Sequence, residues 1–198
     1  MTTFFFVRHG VTAHTGHRLS GWMDIPLNEE GKAQAQAAAD SLAGVRFKKI
    51  CSSPVARCAE TAEIVAAPHR KPVELLEDLG EVRYGDWTDR SLNQLKRLKA
   101  WKDVQHKPSS FRFPNGETLR DVQKRGVDAI ESLAAQHRKA NICCVSHADV
   151  IRLIFAHYMG VHIDLFQRIV IGPAAISVLG LGDSIPRILS LNQMPVGS

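Results

Sequence analysis

Only four cysteines occur in the 198 residues, and none is paired in a C-x-x-C spacing, which leaves no basis for a disulfide framework or a thiolate metal site. Cys51, Cys58, Cys143 and Cys144 all lie in apolar surroundings and read as reduced core residues. No apolar run approaches the ~20 residues of a membrane span, so no membrane partner is expected. The apolar-leaning stretch before Arg8 is too short for the core of a signal peptide, and a cytoplasmic location is the expectation. Internal repeats, low-complexity tracts and linkers are also missing. What is left is one domain over residues 1–198, long enough for a single well-buried core. A hydrophobic content of 44% and a charged content of 23% suit an ordinary globular protein.

The net charge of +5 suits anionic ligands without saying which. The densest basic stretch, Lys96-Arg97-Leu98-Lys99 with Lys102, has the spacing of a solvated helix face rather than of a nucleic-acid patch. No nucleic-acid partner is expected.

Strand and helix signals alternate. Phe4 to Val7 is a short, β-rich apolar run, and a polar loop follows to about Asn28. Glu29 to Leu42 is Ala-rich with strong helix propensity, and Lys49 to Ser52 is a strand candidate. Ser53-Pro54 reads as an N-cap with Pro at the first helical position, opening a helix to about Ala67 whose Cys58, Ala62 and Val65 share one face. The stretch from about 76 to 116 is irregular; Leu92, Leu95 and Leu98 suggest one helix within it. Leu119, Val122, Gly126, Ile130 and Leu133 recur at gaps of three and four, predicting a helix from Glu117 to about Gln136, with Gly126 marking close helix packing. Asn141 to Val145 reads as a central strand and Ala148 to His157 as a helix. Two last strands, near 175–181 and 187–191, flank a Gly182-Asp183 turn. The alternation predicts an α/β fold: a three-layer α/β/α sandwich with a mostly parallel central sheet, a final pair running antiparallel, and an irregular capping excursion.

Three strand ends carry candidate chemistry. Val7-Arg8-His9-Gly10 and Cys144-Val145-Ser146-His147 each end an apolar run with a His, and Gly10 lets the backbone turn sharply there. Cys51-Ser52-Ser53-Pro54 ends another, with Arg57 one turn into the following helix. Glu81 lies in a loop rich in turn residues, Leu79 to Gly85. In a parallel sheet all three strand ends open on one side, where such folds hold ligands. Two His, two Arg and one Glu then surround one pocket, a site suited to a phosphoryl group.

These residues, in this order, resemble the histidine phosphatase superfamily, the phosphoglycerate-mutase-like group. The match runs through Arg8-His9-Gly10-Val11-Thr12, Leu19-Ser20-Gly21-Trp22, Pro26-Leu27 with Gly31, Ser52-Ser53-Pro54 with Arg57 and Thr61, Glu81 with Tyr84-Gly85-Asp86-Trp87, Phe113 to Glu117, and Val145-Ser146-His147. The resemblance implies that His9 is the nucleophile, forming phosphohistidine, and that Arg8, Arg57 and His147 hold the phosphoryl oxygens. Glu81 is implied as the acid that protonates the leaving alkoxide and the base that then activates water. Ser20 and Gly21 match a stretch lying over the substrate. The helices opened by Ser53-Pro54 and by Ala148-Asp149 start near the phosphoryl oxygens. Arg8 is expected to lower the pKa of His9, and a phosphate dianion to raise that of Glu81.

The chain departs from the family pattern at Val11, where Glu or Gln is common, and at Thr15, where an Asn usually contacts phosphate. One residue is also missing before Ser20. Val82 follows Glu81 where the mutases carry Arg, and their Arg-rich insertion is absent, which favours hydrolysis over mutase chemistry. His14 and His17 invite a metal reading, but their spacing fits no compact ligand pattern and both read as solvated loop residues. Trp22 and Tyr84 either line the pocket or pack behind it, and Trp101 reads as core. The expected function is a metal-independent phosphomonoesterase without cofactor, acting on a small phosphorylated metabolite. A phosphoglycerate mutase and a non-catalytic phosphoester-binding protein are the alternatives. Oligomeric state is left open, a homodimer included.

Overall fold

The computed structural model describes residues 1–182 and 185–195. Strands β1 (Thr2–Arg8), β2 (Phe47–Ser52), β3 (Val73–Leu75), β4 (Asn141–Ser146), β5 (Ile176–Leu181) and β6 (Arg187–Gln193) form one sheet in the spatial order β3-β2-β4-β1-β5-β6. The first four of these run parallel; β5 is antiparallel to both β1 and β6, as expected for the final pair. Of the expected Gly182-Asp183 turn, Asp183 lies outside the described residues.

The helices are α1 (Glu29–Leu42), α2 (Ala56–Ala66), α3 (Leu92–Leu95), α4 (Lys99–His106), α5 (Leu119–Gln136) and α6 (Ala148–Met159). Side chains alternate across a strand, and here the alternation builds two cores. Phe4, Phe6, Ile142 and Cys144 face one way, against Val122 and Ile130 of α5 and Ile151, Ile154 and Phe155 of α6. Val7, Cys143, Val145 and Ile50 face the other way, against Ala38 and Leu42 of α1 and Cys58, Ala62 and Val65 of α2. The adjacent Cys143 and Cys144 therefore enter opposite layers. All four cysteines are free and buried.

Two helix starts differ from the sequence expectation. Ser53-Pro54 does not cap a helix; α2 begins at Ala56 behind an extended Val55, because the Ser53 hydroxyl is drawn to His147 Nε2 at 2.8 Å. α5 begins at Leu119 rather than Glu117, since Thr118 forms a reciprocal cap with Asp121. Gly126 does mark a close crossing: a Cβ there would lie 3.1 Å from Ile154 of α6. In the excursion the expected single helix is two, α3 and α4, separated by an extended Leu98. The excursion is anchored by Leu95, by Trp87 packed at an angle to Phe111 and edge-to-face with Phe113, and by a half-buried Trp101.

Candidate active site

Parallel pairing decides where the candidate residues meet. Arg8 is level with Ser146 and Ser52 with Val145, so the carboxyl ends of β1, β2 and β4 form one rim. The ladder carries one residue past each end: His9 N donates to Ser146 O at 3.1 Å and Ser53 N to Val145 O at 3.0 Å. His9 and His147 meet there with ring centroids 5.2 Å apart. Gly10 is required for space, not for dihedral freedom. Its φ is not positive, and a Cβ at this position would lie 2.3 Å from the Gly31 carbonyl oxygen at the start of α1.

Arg57, 2% exposed in the first turn of α2, spans the two imidazoles. Its Nε donates to His9 Nε2 at 3.2 Å, and its Nη2 lies 3.0 Å from His147 Nδ1 and donates to Gly21 O at 2.8 Å. His9 Nδ1 lies 2.7 Å from its only acceptor, Gly10 O. These contacts assign the His9 proton to Nδ1 and leave Nε2 unprotonated, accepting the Arg57 Nε–H. His147 likewise accepts at Nδ1, so its Nε2 proton points to Ser53 Oγ, with Cys58 Sγ at 3.4 Å. Both rings are held neutral. Burial is the largest cause, followed for each by the Arg57 charge, and their pKa values fall well below the ordinary 6.5. Arg8, the cause expected from sequence, ranks third for His9.

Glu81 lies on the other side of Arg57, with Oε2 at 3.7 Å from Arg57 Nη2 and 3.5 Å from His147 Nδ1. Burial first and the nearby Asp149 charge second push its carboxyl up to about 7, against the pull of Arg57 and Arg8. This rise comes from the chain's own burial and charges, causes additional to the one expected from sequence. The loop bearing Glu81 is clamped from α5: Arg125 donates to the carbonyls of Asp78, Gly80 and Glu81 at 2.7, 2.8 and 3.0 Å. Its Nε is held by Glu117 at 3.0 Å.

A cavity of about 100 Å³ opens over these groups, walled by Arg8, His9, Thr12, His14, Thr15, Gly16, Arg18, Leu19, Ser20, Arg57, Glu81 and Tyr84. Arg8 Nη1 donates to Ile171 O at 2.7 Å, while its Nε is buried without a hydrogen-bond partner. His147, 0% exposed, is packed behind the wall. Gly10, Gly21 and Ala148 are not in the wall. Gly21 has φ +50° and offers its carbonyl to Arg57, and Ala148 opens α6 behind His147. Thr15 is in the wall, its hydroxyl accepting from Thr12 N at 2.9 Å.

Of the two aromatic residues left open, Tyr84 lines the cavity, its hydroxyl donating to Asp149 Oδ2 at 3.3 Å. Trp22 packs behind, its indole donating to Glu81 O at 2.7 Å with Arg83 stacked on its ring. His14, expected in a solvated loop, instead lines the cavity with Nδ1 buried, whereas His17 is exposed. Sequence reasoning missed Cys58 and Arg125 as neighbours of the site, and placed Ser53 and Asp149 there only as helix starts, not as the partners of His147 and Tyr84.

The chain is 28% identical to the adenosylcobalamin/alpha-ribazole phosphatase of Escherichia coli strain K12, covering 98% of this chain and 97% of that protein. The structure of Bacillus stearothermophilus YhfR superposes with a TM-score of 0.92 at 25% identity, covering 98% of each chain. The phosphoserine phosphatase of Entamoeba histolytica, in complex with 3-phosphoglyceric acid, gives 0.89 at 25% identity, again covering 98% of each. The family model described as histidine phosphatase superfamily (branch 1) matches residues 4–194, and the chain belongs to that superfamily.

Proposed function

We propose that this protein hydrolyses a small phosphomonoester through a phosphohistidine at His9. One observation carries the reading: a neutral imidazole whose unprotonated Nε2 accepts only from Arg57, and a carboxyl able to hold a proton near neutral pH, share one cationic cavity. Only a neutral ring has the electron pair to attack phosphorus, and only a protonated carboxyl can discharge an alkoxide at that pH.

In the first step His9 Nε2 bonds to phosphorus as the ester P–O bond breaks, and Glu81 gives its proton to the departing oxygen. In the second, Glu81, now a carboxylate, takes a proton from water as the water oxygen bonds to phosphorus and the P–N bond breaks. Phosphate leaves and His9 is again neutral. Phosphoryl transfer spreads negative charge over three equatorial oxygens. The guanidinium groups of Arg8 and Arg57, both in the cavity wall, meet that charge, and His147, packed behind the wall, braces Arg57 through Nδ1. Two charge-assisted contacts of this kind, fixed in advance, supply most of what the chain contributes to the rate.

The phosphatase relatives support hydrolysis, and beyond Arg8 and Arg57 the cavity wall holds a single further guanidinium, Arg18, tied to Asp89, rather than the Arg cluster that a bisphosphorylated intermediate calls for. The test is a panel of phosphomonoesters with chelator present, scoring phosphate release and isomerised product. Release, together with an acid-labile phosphoprotein that His9→Ala lacks, is the expected result. Isomerised 2- or 3-phosphoglycerate without phosphate release would overturn hydrolysis in favour of mutase chemistry.

A further inference from the structure

The cavity over His9 opens at the carboxyl ends of the parallel strands, and the opposite pole of the sheet has a different character. Strands β1 to β4 all begin there. The β5–β6 connection returns there too, since Leu181 is level with Thr2 and Arg187 with Gly180. Arg70 and Lys71 precede β3, Arg46 and Lys48 flank the start of β2, Arg138 and Lys139 precede β4, and Arg187 opens β6. All seven are exposed. The α1–β2, α2–β3 and α5–β4 connections contain no Asp or Glu, and the β5–β6 connection has one, Asp183.

Elsewhere on the surface, Lys32, Lys49, Arg112, Lys124 and Arg152 each hold a carboxylate. None of the seven cations at the pole does so among the described residues. A cation in the last turn of a helix would serve the helix dipole. Of the helices ending here, α1, α2 and α5 have no basic residue in that turn, so the charges stand beyond them, in the connections.

These groups share one face. His69 packs edge-on against Phe47 with centroids 4.9 Å apart, which brings the turn before β3 beside β2. Arg46, Lys48, Arg138 and Lys139 wall one shallow depression of about 530 Å³. Arg138 and Lys139 also border a neighbouring hollow with Met1 and Pro186, and Ile185, next in the chain to Pro186, is 83% exposed.

A row of unpaired cations matches a partner of extended negative charge. Two features favour a bilayer over nucleic acid. A large apolar side chain projects beside the charges, as in proteins that lie on a membrane interface. The ring at the centre of the row, Phe47, is buried against Phe5 and His69 and offers bases no stacking face. No helix among the described residues is long and apolar enough to cross a membrane, which bears on spanning and not on surface docking.

We propose that this pole docks on an anionic lipid surface, its cations among the headgroups and Ile185 inserted between them. The cavity over His9, at the other end of the strands, then faces the aqueous phase.

Each basic residue near an anionic bilayer is worth about fivefold in partitioning. The assay is co-sedimentation of the whole chain with vesicles of phosphatidylglycerol and phosphatidylcholine at about 1:2, at about 0.05 M and about 0.5 M salt. Binding is expected at the lower salt, with loss at the higher salt and on pure phosphatidylcholine. Arg138→Gln with Lys139→Gln should lower the partition coefficient about 25-fold, and Ile185→Ser should lower it severalfold with the salt dependence kept. Lys96→Gln with Lys99→Gln removes the same charge from the excursion beyond the carboxyl end of β3, and should change partitioning by less than about twofold. No binding at low salt, or equal losses for the two charge pairs, overturns the docking face. So does a single-stranded oligonucleotide that binds more tightly through Arg138 and Lys139 and displaces the vesicles, which would assign the pole to nucleic acid. Binding is read without turnover, so the result stands apart from the hydrolase reading.

Discussion

Replacing Glu81 by Gln tests the electrostatics of the site through stability as well as activity. The carboxyl is raised from an ordinary 4.5 to about 7, mainly by burial. Between those values the folded protein holds a proton that the unfolded chain has lost, so folding stability falls as pH rises through that window. At 1.36 kcal/mol for each pH unit, the rise costs the wild type about 3 kcal/mol once pH exceeds 7, but only about 0.8 kcal/mol at pH 5. Gln is nearly isosteric and carries no charge to desolvate. Its amide oxygen can still accept the Val82 N–H, which Glu81 Oε1 receives at 3.0 Å. Glu81→Gln is therefore expected to raise the melting temperature at pH 8 by roughly 6–12 °C, at 2–4 °C per kcal/mol for a chain of this size. At pH 5 the rise should be only about 2–3 °C. Activity should drop by about 10²-fold or more throughout, as the proton donor is gone. Thermal unfolding of both proteins at pH 5 and pH 8 is the assay; the remaining titrating groups are common to the pair. Equal melting shifts at the two pH values, or a less stable variant at pH 8, would refute the reasoning.

The pH profile of kcat/KM should have an alkaline limb near pH 7, where Glu81 loses its proton; a profile flat from pH 5 to 9 would count against both the His9 and the Glu81 roles. Asp149→Asn removes the second cause holding that proton, so the alkaline limb should move to lower pH, as pH-rate measurements will report. Gly10→Ala places a methyl 2.3 Å from backbone oxygen that no rotamer can clear, and urea titration should show a loss of about 2 kcal/mol or more. Arg125→Ala frees the carbonyls of residues 78, 80 and 81 and leaves Glu117 without its partner. It should reduce kcat more than it raises KM and broaden the pH profile, because Glu81 is then no longer held at one depth; an unchanged kcat would refute the positioning role.

Sequence alone was enough for the layered α/β architecture. Alternating and 3.6-residue patterns are local, and the core-facing residues of β1, β4, α5 and α6 were readable from them. The strand-end motifs around His9, Arg57 and His147 were readable too, because a parallel sheet must bring such ends to one rim. Gly10 and Ser53 show where local reading stops. Each sits in a motif whose local signal, a turn or an N-cap, is real, yet tertiary neighbours claim it: Gly31 takes the space beside one and His147 the hydroxyl of the other. The same holds for Glu81, whose raised pKa comes from burial and from Asp149, 68 residues away in the chain, and for Arg125, which grips its loop from another helix. His14 read as solvated until the fold placed it in the cavity wall. Which residues carry chemistry is a matter of side-chain type and could be read along the chain. How they are charged, held and aimed depends on burial and on distances between remote segments, and these exist only once the chain has folded.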